Sequence, residues 1–305
     1  MQQNIKGTII KGVGGLYYVR PDGEDELIPC RARGKFRHTG MTPLVGDRVL
    51  LAVEKEAVID EIIDRKNALI RPPLANLNIL FVSMASAFPS PILLSVDKLI
   101  CLAEHHGIEP VIVVGKSELD TESTKKICEI YRNAGFEVFA ISAKNGDGVD
   151  ALEDYLRTHM CGKIAAFAGA SGVGKSTLLS RLFPDREIET GEISLKIERG
   201  KNTTRHVELF EYPCDGGMGY IADTPGFSLL DFVRFDFFGK DDLPNTMREF
   251  RPHLGTCRYK KCTHTKEDGC AILEAVKNGE IAPSRHESFL DIYGALKDKR
   301  EWQKG

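Results

Sequence analysis

The sequence predicts an α/β protein in which a small β-barrel comes first, a mainly parallel sheet follows, and a metal-binding helical segment comes last. Three observations support this prediction: short strands separated by turns near the N-terminus, apolar strands alternating with amphipathic helices in the middle, and a cysteine/histidine cluster near the C-terminus. The chain has 305 residues, enough for two or three domains. We place three domains at residues 1–67, 68–233 and 234–305.

The composition is that of a soluble globular protein of the cytoplasm. Apolar residues make up 42% of the chain and charged residues 28%, and the formal net charge of −3 gives no protein-wide positive field for nucleic acid. The N-terminus lacks a signal-peptide pattern, and no apolar run approaches the roughly 20 residues of a membrane span. No signal for oligomerisation stands out, so we expect a monomer without membrane contact.

The eight cysteines form two groups. Three of them crowd into residues 257–270 and need a specific explanation. We expect the scattered ones to be buried small apolar side chains, because a reducing compartment disfavours disulfides. The scattered cysteines are Cys30, Cys101, Cys128, Cys161 and Cys214.

Residues 1–67 contain short predicted strands typical of a small barrel of the OB type. These strands are Gly7–Lys11, Leu16–Val19, Glu26–Pro29 and Val49–Val53. In the following stretch, Arg31, Arg33, Lys35 and Arg37 occupy every second position, so an extended chain would align four cations on one face. Two interpretations stay open: a solvated loop or edge strand, or a contact with RNA phosphates.

The most specific motif is a phosphate-binding loop, which fits G-x-x-x-x-G-K-[ST] between an apolar strand and a helix. Its backbone N–H groups and the N-terminus of the following helix bind phosphate. We expect Lys175 to reach the β- and γ-phosphates and Ser176 to ligate Mg²⁺. The sequence therefore predicts a nucleoside triphosphate site. Its loop residues are Gly169, Ala170, Ser171, Gly172, Val173, Gly174, Lys175, Ser176 and Thr177.

A second segment near the phosphates is the D-T-P-G sequence at residues 223–226. Asp223 follows a strand-like segment, where an aspartate can hold Mg²⁺ through water, and the Gly226 N–H can reach a γ-phosphate. The next residue is Phe227, which cannot orient the attacking water as a glutamine does in Ras-like enzymes. We therefore expect slow intrinsic hydrolysis that a partner or another residue accelerates.

Two strand ends ahead of the phosphate-binding loop correspond to the segments with which GTPases bind guanine, and the second of them is intact. In those segments N-K-x-D ends one strand and S-A-K ends another. The corresponding residues are Gly115, Lys116, Ser117 and Glu118 at the first strand, and Ser142, Ala143 and Lys144 at the second. In an ordinary GTPase both segments follow the phosphate-binding loop, whereas here both precede it. The sequence therefore predicts a circularly permuted GTPase domain whose leading part carries the guanine pocket.

Near the C-terminus, Cys257, Cys262, His264 and Cys270 supply three thiolates and one imidazole within 14 residues. Zinc prefers four tetrahedral nitrogen or sulfur ligands, and such a complete set leaves no open position for catalysis. We therefore expect one structural Zn²⁺ ion at these four residues.

This order of motifs resembles the RsgA family of small-ribosomal-subunit-dependent GTPases, and the resemblance covers essentially the whole chain. It extends to VGDRV (45–49), RPPLANL (71–77), RGKNTTRHVEL (199–209), DTPGFS (223–228) and the zinc-ligand spacing. It implies an OB-type barrel, a circularly permuted GTPase domain and a zinc-binding helical domain. It also implies late maturation of the small (30S) ribosomal subunit as the function, 16S rRNA as a partner, and subunit-stimulated hydrolysis of GTP to GDP. By analogy, Thr204 joins Ser176 in the Mg²⁺ shell.

The chain departs from the family's pattern at two sites. In the base-binding motif, Gly115 replaces the asparagine and Glu118 the aspartate, while Asn202 stands where relatives commonly have a histidine, with His206 as the candidate substitute. Three hypotheses follow. The chain is a subunit-activated GTPase, a divergent paralogue that binds rRNA with little or no hydrolysis, or an NTPase without guanine preference.

Overall fold

The structure is a computed structural model of the chain. The residues that it describes are 3–36, 40–63, 65–69, 72–184, 207–223 and 238–297, without the side chains of Gln3 and Asp223. They form two compact units. Unit 1 comprises the described parts of Met1–Ile79, Asp154–Phe167 and Glu198–Phe227, and unit 2 those of Leu80–Glu153, Ala168–Ile197 and Ser228–Gly305.

The secondary structure matches the predicted α/β pattern. The strands are β1 (Gln3–Val13), β2 (Leu16–Pro21), β3 (Ile28–Ala32), β4 (Arg48–Val53), β5 (Ala57–Ile63), β6 (Ala68–Leu69), β7 (Leu74–Ala75), β8 (Ile79–Ala85), β9 (Glu109–Gly115), β10 (Glu137–Ile141), β11 (Ile164–Gly169), β12 (Glu208–Cys214) and β13 (Gly217–Asp223). The helices are α1 (Leu93–His105), α2 (Thr121–Asn133), α3 (Val149–His159), α4 (Lys175–Leu182), α5 (Ala271–Lys277) and α6 (Pro283–Lys297), with 3-10 helices at Leu243–Thr246 and Arg248–His253. Within the described ranges, no helix is both long and apolar enough to cross a membrane.

The first five strands of unit 1 close into a barrel. Their order is β1-β2-β3-β5-β4, and β4 also pairs with β1. The core of the barrel consists of fully buried side chains, namely Ile9, Val19, Val49, Leu51 and Ile59. The sequence analysis missed β5 because Asp60 and Glu61 interrupt its apolar pattern. This strand completes the predicted barrel.

The basic stretch after β3 does not continue as an extended strand through its described part. The strand ends at Ala32, and the chain turns so that Phe36 is buried. Arg33 and Lys35 both form ion pairs with Asp60, at 3.2 and 3.1 Å, which partly neutralises them. Among the described residues the stretch therefore continues as a loop and not as an extended strand, the RNA contact stays a prediction, and position 37 lies outside the described residues.

A hairpin in unit 1 positions the aspartate that was singled out in the sequence. β13 pairs antiparallel with β12 and parallel with β11, with Ala222 opposite Ala166. Asp223 follows Ala222 as the last residue of β13. Asp223 therefore directly follows the part of β13 that pairs with β11. The sequence analysis predicted β13 but not β12.

Parallel strands form the centre of unit 2. β10, β9 and β8 are neighbours in that order, and β9 runs parallel to β10 with Gly115 opposite Ile141. Every residue of β8 is buried, as expected for an interior strand of a parallel sheet. The pairing brings the ends of β9 and β10, which carry the two predicted base-binding segments, to the same edge.

The C-terminal helices pack on α1 within unit 2. They share one apolar core with it, formed by Cys101, Leu102, Phe238, Leu243, Met247, Phe250, Cys270, Ile272, Ala275, Ile281, Phe289 and Ile292. Beside this core, the fully buried Arg285 of α6 forms ion pairs with Asp97 of α1 at 2.5 Å and with Glu249 at 2.6 Å. The Tyr131 hydroxyl donates to the same Asp97 carboxylate at 2.9 Å. Burial opposes the charge on Arg285, but Asp97 and Glu249 outweigh it and raise the pKa of the guanidinium.

Burial of the scattered cysteines follows the prediction at three of the five positions. Cys30, Cys101 and Cys128 are buried, and burial raises the pKa of the Cys30 and Cys101 thiols to about 12. The prediction is wrong for Cys161, which is exposed in the turn after α3, and Cys214 at the end of β12 is only half-buried.

We expect Arg285→Met to lower the free energy of unfolding by about 3–5 kcal/mol, because it leaves two buried carboxylates without their cation. The matched control is Lys126→Met, which breaks an exposed ion pair with Glu122 on α2 and should leave stability almost unchanged. Urea denaturation followed by circular dichroism measures both variants. An Arg285→Met chain as stable as its parent would show that the buried ion pairs do not hold α6 on α1.

Candidate functional site

Glycines shape the phosphate-binding loop between β11 and α4. Gly169, Gly172 and Gly174 have φ angles of +145°, +78° and +104°, which residues with a side chain rarely adopt. A Cβ on Gly169 would lie 2.1 Å from the Ser83 carbonyl oxygen, so the loop packs directly on the backbone of β8. The G-x-x-x-x-G-K-[ST] spacing thus produces the tight turn that a phosphate cradle needs.

Lys175 begins α4 and folds back over the loop. Its amine donates to the carbonyl oxygens of Gly169 at 2.8 Å and Ala170 at 2.7 Å. Burial lowers the pKa of Lys175 to about 8. A phosphate anion near the amine would raise this pKa, so phosphate binding and protonation of Lys175 favour each other.

One cavity of about 270 Å³ in unit 2 joins the predicted base-binding segments to the phosphate-binding loop. Of the predicted site residues, it is lined by Gly115, Lys116, Glu118, Ala143, Lys144, Val173, Gly174, Lys175 and Thr177. The others, Ser117, Ser142, Gly169, Ala170, Ser171, Gly172 and Ser176, belong to the same loops but do not line it. The structure therefore places segments from both halves of the sequence around one space, while the role of each residue stays a prediction.

Sequence analysis missed five further cavity-lining residues. Four lie within strands or a helix, namely Ser83, Val113, Ile141 and Leu178, and Leu119 lies in the turn after β9. Val113 lies two positions before Gly115 on β9, so the two-residue period of a strand could have identified it. Ser83 carried no signal, although its buried hydroxyl has no hydrogen-bond partner among the described residues.

Hydrogen bonds hold the two base-binding segments together. The fully buried Ser142 donates its hydroxyl hydrogen to Glu118, and this bond is the main reason that the pKa of Glu118 is lowered. The Ser142 hydroxyl oxygen accepts from the Asn145 N–H at 3.2 Å, and the Ser117 N–H donates to the Ile141 carbonyl at 3.1 Å. The Glu118 carboxylate thus lies beside Ser142 at the cavity, and this hydrogen bond favours its ionised form.

Gly115 lies against the phosphate-binding loop. A Cβ at this position would lie 2.7 Å from the Val173 carbonyl oxygen, so a side chain fits only if the backbone shifts. A second contact joins α4 to the other base-binding segment, because Arg181 donates to the Ala143 carbonyl at 3.1 Å. Glycine, which stands at position 115 instead of the family's asparagine, thus allows β9 to pack closely on the phosphate-binding loop.

Several predicted residues lie outside the described residues. They are Thr204 and Gly226, together with Asn202, His206 and Phe227. For Asp223 the structure gives the backbone position at the end of β13 but not the side chain.

The four predicted metal ligands lie together in unit 2. The ligand atoms of Cys257, Cys262, His264 and Cys270 are all within 4.8 Å of one another. His264 Nδ1 lies 3.6 Å from the Cys257 sulfur and 3.5 Å from the Cys270 sulfur. Tetrahedral zinc with bonds of about 2.0–2.3 Å would separate its ligand atoms by roughly 3.5–3.8 Å. The donor set and the spacing therefore fit a four-coordinate metal ion.

Neighbouring groups hold this cluster in shape. The Ala271 N–H donates to the Cys257 sulfur at 3.3 Å, and the His286 ring nitrogen Nε2 contacts the His264 carbonyl at 2.8 Å. Although burial opposes it, hydrogen bonds from Thr263 and from nearby backbone N–H groups lower the pKa of Glu267 to about 2. The ionised Glu267 carboxylate thus holds the loop between His264 and Cys270 in place by accepting these hydrogen bonds.

We expect the affinity for a nucleoside triphosphate to fall as the pH rises above about 8. Below the Lys175 pKa of about 8 the ammonium is already formed, whereas above it binding must take up a proton. The affinity then falls by up to about tenfold per pH unit, until the pH reaches the higher pKa that Lys175 has in the complex. Titration calorimetry between about pH 7 and 9 measures it. Lys175→Ala is the control for ionisation of the nucleotide, and an identical pH dependence in this variant would contradict the linkage.

Comparison with known proteins identifies the family of the chain. The model of the RsgA N-terminal domain matches residues 6–59 and that of the RsgA GTPase matches residues 62–233. A protein described as small ribosomal subunit biogenesis GTPase RsgA from Ruminiclostridium cellulolyticum is 40% identical over 96% of this chain and 94% of its own length. Its counterpart in Halalkalibacterium halodurans is 41% identical over 97% of this chain and 98% of its own length.

Two solved structures share the fold. YjeQ from Thermotoga maritima matches with a TM-score of 0.80 and 31% identity, covering 98% of this chain and 100% of that one. YloQ, described as a circularly permuted GTPase, matches with a TM-score of 0.77 and 34% identity, covering 98% of this chain and 96% of that one. The predicted fold class, including the circular permutation, is confirmed. The chain belongs to the RsgA GTPase family.

Proposed function

We propose that the chain binds the small (30S) ribosomal subunit and acts in its late maturation, hydrolysing GTP to GDP with stimulation by the subunit. The observation that carries this proposal is the single cavity at which two base-binding segments meet a complete phosphate-binding loop. Nearly full-length relatives named small ribosomal subunit biogenesis GTPase RsgA supply the biological context.

In this proposal the base lies between the ends of β9 and β10. Glu118 accepts from the guanine N1–H and N2–H groups, while Ala143 and Lys144 support the base from the neighbouring loop. Without a side-chain amide at Gly115, guanine selectivity depends more heavily on the Glu118 carboxylate. The lowered pKa of Glu118 supports this role because an ionised carboxylate accepts and does not donate.

The phosphates lie along the loop between β11 and α4. Lys175 exchanges its bonds to the two loop carbonyl oxygens for bonds to the β- and γ-phosphates. Mg²⁺ is the ion that GTPases generally use, and Ser176, Thr204 and Asp223 would hold it directly or through water. Phe227 supplies no hydrogen bond to the attacking water, so the ribosomal subunit or another residue of the chain promotes that step.

A structural Zn²⁺ ion at Cys257, Cys262, His264 and Cys270 would stabilise the C-terminal segment. Four ligands leave no open coordination position, so this ion takes no part in hydrolysis. Beside it, Tyr259 is 49% exposed, the Arg258 guanidinium lies 5.5 Å from its ring centre, and Lys260 and Lys261 are exposed. An exposed aromatic ring among cations is suited to contact rRNA by stacking and by charge.

The remaining parts of the proposal rest on the sequence. We propose that the chain works in the cytoplasm as a monomer. The domain limits at 1–67, 68–233 and 234–305 stay a prediction. We also propose that the barrel and the zinc-binding segment, and not the GTPase domain, contact 16S rRNA.

The decisive test is turnover of GTP and of ATP by the purified chain, with and without small ribosomal subunits. We expect slow GTP hydrolysis alone, an increase of about tenfold or more with subunits, and little ATP hydrolysis. The control is Lys175→Ala, which removes the amine that neutralises phosphate charge. No GTP turnover with subunits would favour a non-hydrolysing rRNA-binding paralogue, and comparable ATP turnover would favour an NTPase without guanine preference.

We expect zinc removal to loosen the C-terminal segment selectively. Metal binding supplies about 10 kcal/mol of folding free energy in small zinc domains, so Cys262→Ser should lose the bound zinc and speed amide exchange over residues 257–277 at least tenfold. Exchange in the phosphate-binding loop should stay unchanged. Cys161→Ser is the matched control, since this exposed cysteine lies outside the ligand cluster. Metal analysis and hydrogen exchange measure the two effects, and full zinc content in Cys262→Ser would refute the ligand assignment.

A further inference from the structure

Two cysteines of unit 1 lie next to each other, outside both the nucleotide cavity and the metal cluster. Cys161 is exposed in the turn between α3 and β11, and Cys214 is half-buried at the end of β12, where the hairpin to β13 begins. They are 53 positions apart in the sequence, and neither belongs to a motif. Their proximity is created by the fold alone.

Both sulfur atoms lie close to one glycine of the hairpin. Cys214 is opposite Gly217 in the β12–β13 pair, and its thiol donates to the Gly217 carbonyl at 3.5 Å. The Cys161 sulfur lies 3.3 Å from the position that a Cβ on Gly217 would occupy. Burial raises the pKa of the Cys214 thiol, and the charge and hydrogen bond of Cys161 raise it further. The two thiols are thus within interaction distance.

Backbone contacts hold the two cysteine-bearing turns together. The Gly162 N–H donates to the Met218 carbonyl at 3.0 Å, and the Asp215 N–H donates to the Arg157 carbonyl at 2.8 Å. The side chains of Arg157 and Asp215 also form an ion pair. A Cβ on Gly219 would lie 2.4 Å from the Met160 carbonyl oxygen, so the hairpin packs on the turn without intervening side chains. These contacts therefore hold the two thiols at a fixed separation.

We propose that Cys161 and Cys214 form a modification site at which a hydroperoxide produces an intramolecular disulfide. In the first step the Cys161 thiolate attacks the peroxide, the O–O bond breaks, and Cys161 becomes a sulfenic acid while the departing oxygen takes up the thiol proton and leaves as water or alcohol. In the second step the Cys214 sulfur displaces the sulfenic hydroxyl group, which leaves as water with the Cys214 proton. Two thiols lose two electrons, and the peroxide gains them.

The order of the two steps follows from accessibility. Peroxide reaches the exposed Cys161 first, whereas the half-buried Cys214 has a raised thiol pKa, which slows its own attack on peroxide. Cys214 takes the resolving role because its sulfur lies beside Cys161. Cys30 and Cys101 are buried with thiol pKa values of about 12, so they should stay reduced.

The test is peroxide titration of the zinc-loaded full chain. Remaining thiols are blocked with N-ethylmaleimide, and proteolytic peptides are analysed by mass spectrometry without reduction. We expect a linked Cys161–Cys214 peptide pair that appears at peroxide doses below those that release zinc, and that disappears with dithiothreitol. A chromogenic zinc indicator in the same titration reports the state of the metal cluster.

Two single variants test the order of attack. With Cys214→Ser, dimedone should trap Cys161 as a sulfenic acid, and with Cys161→Ser, Cys214 should keep its maleimide label at the same doses. Three results in the parent chain would overturn the site. Cys161 is oxidised to sulfinic acid without forming a disulfide, it forms a disulfide with another cysteine or another chain, or it resists oxidation until zinc is released. Oxidation of Cys214 at an unchanged rate in Cys161→Ser would overturn the assigned order.

Discussion

The candidate nucleotide cavity depends on how closely the phosphate-binding loop packs on the backbone of β8 and β9. Gly169 leaves no room for a side chain against the Ser83 carbonyl on β8, and Gly115 leaves none against the Val173 carbonyl. Because backbone touches backbone at both points, the loop cannot move relative to the strand ends without breaking the packing. The hydrogen bond from Ser142 to Glu118 and that from Arg181 to the Ala143 carbonyl then hold the base-binding segments in place.

This arrangement explains why the order of the motifs along the chain matters little. A parallel sheet gathers the carboxyl ends of its strands at one edge, whatever the order in which those strands are made. The ends of β9 and β10, which come first in the sequence, meet the loop after β11 because the sheet brings them there. Circular permutation therefore leaves these strand ends together although their order along the chain has changed.

The C-terminal segment is attached by a second set of contacts that differ in kind. The segment shares an apolar core with α1. Arg285 adds a specific contact because its two carboxylate partners, Asp97 and Glu249, come from different elements. A fully buried guanidinium tolerates only the geometry that pairs it, so it specifies one docking position. The Cys/His cluster, held by the loop around Glu267, shapes a part of the chain that is too short to form a large core of its own.

The sequence by itself determined what local spacing can specify: the phosphate-binding loop, the cluster of candidate metal ligands within 14 residues, and the succession of strands and helices. It missed β5, whose central acidic residues hide its pattern, and it left open whether the basic stretch is a strand or a loop, which the turn after Ala32 decides for the described residues. Only the tertiary structure decided the contacts between distant positions, such as Arg285 with Asp97, Ser142 with Glu118, and Cys161 with Cys214. The physical reason is that periodicity and motif spacing record a residue's own backbone conformation, whereas these pairings depend on which elements the folded chain places side by side.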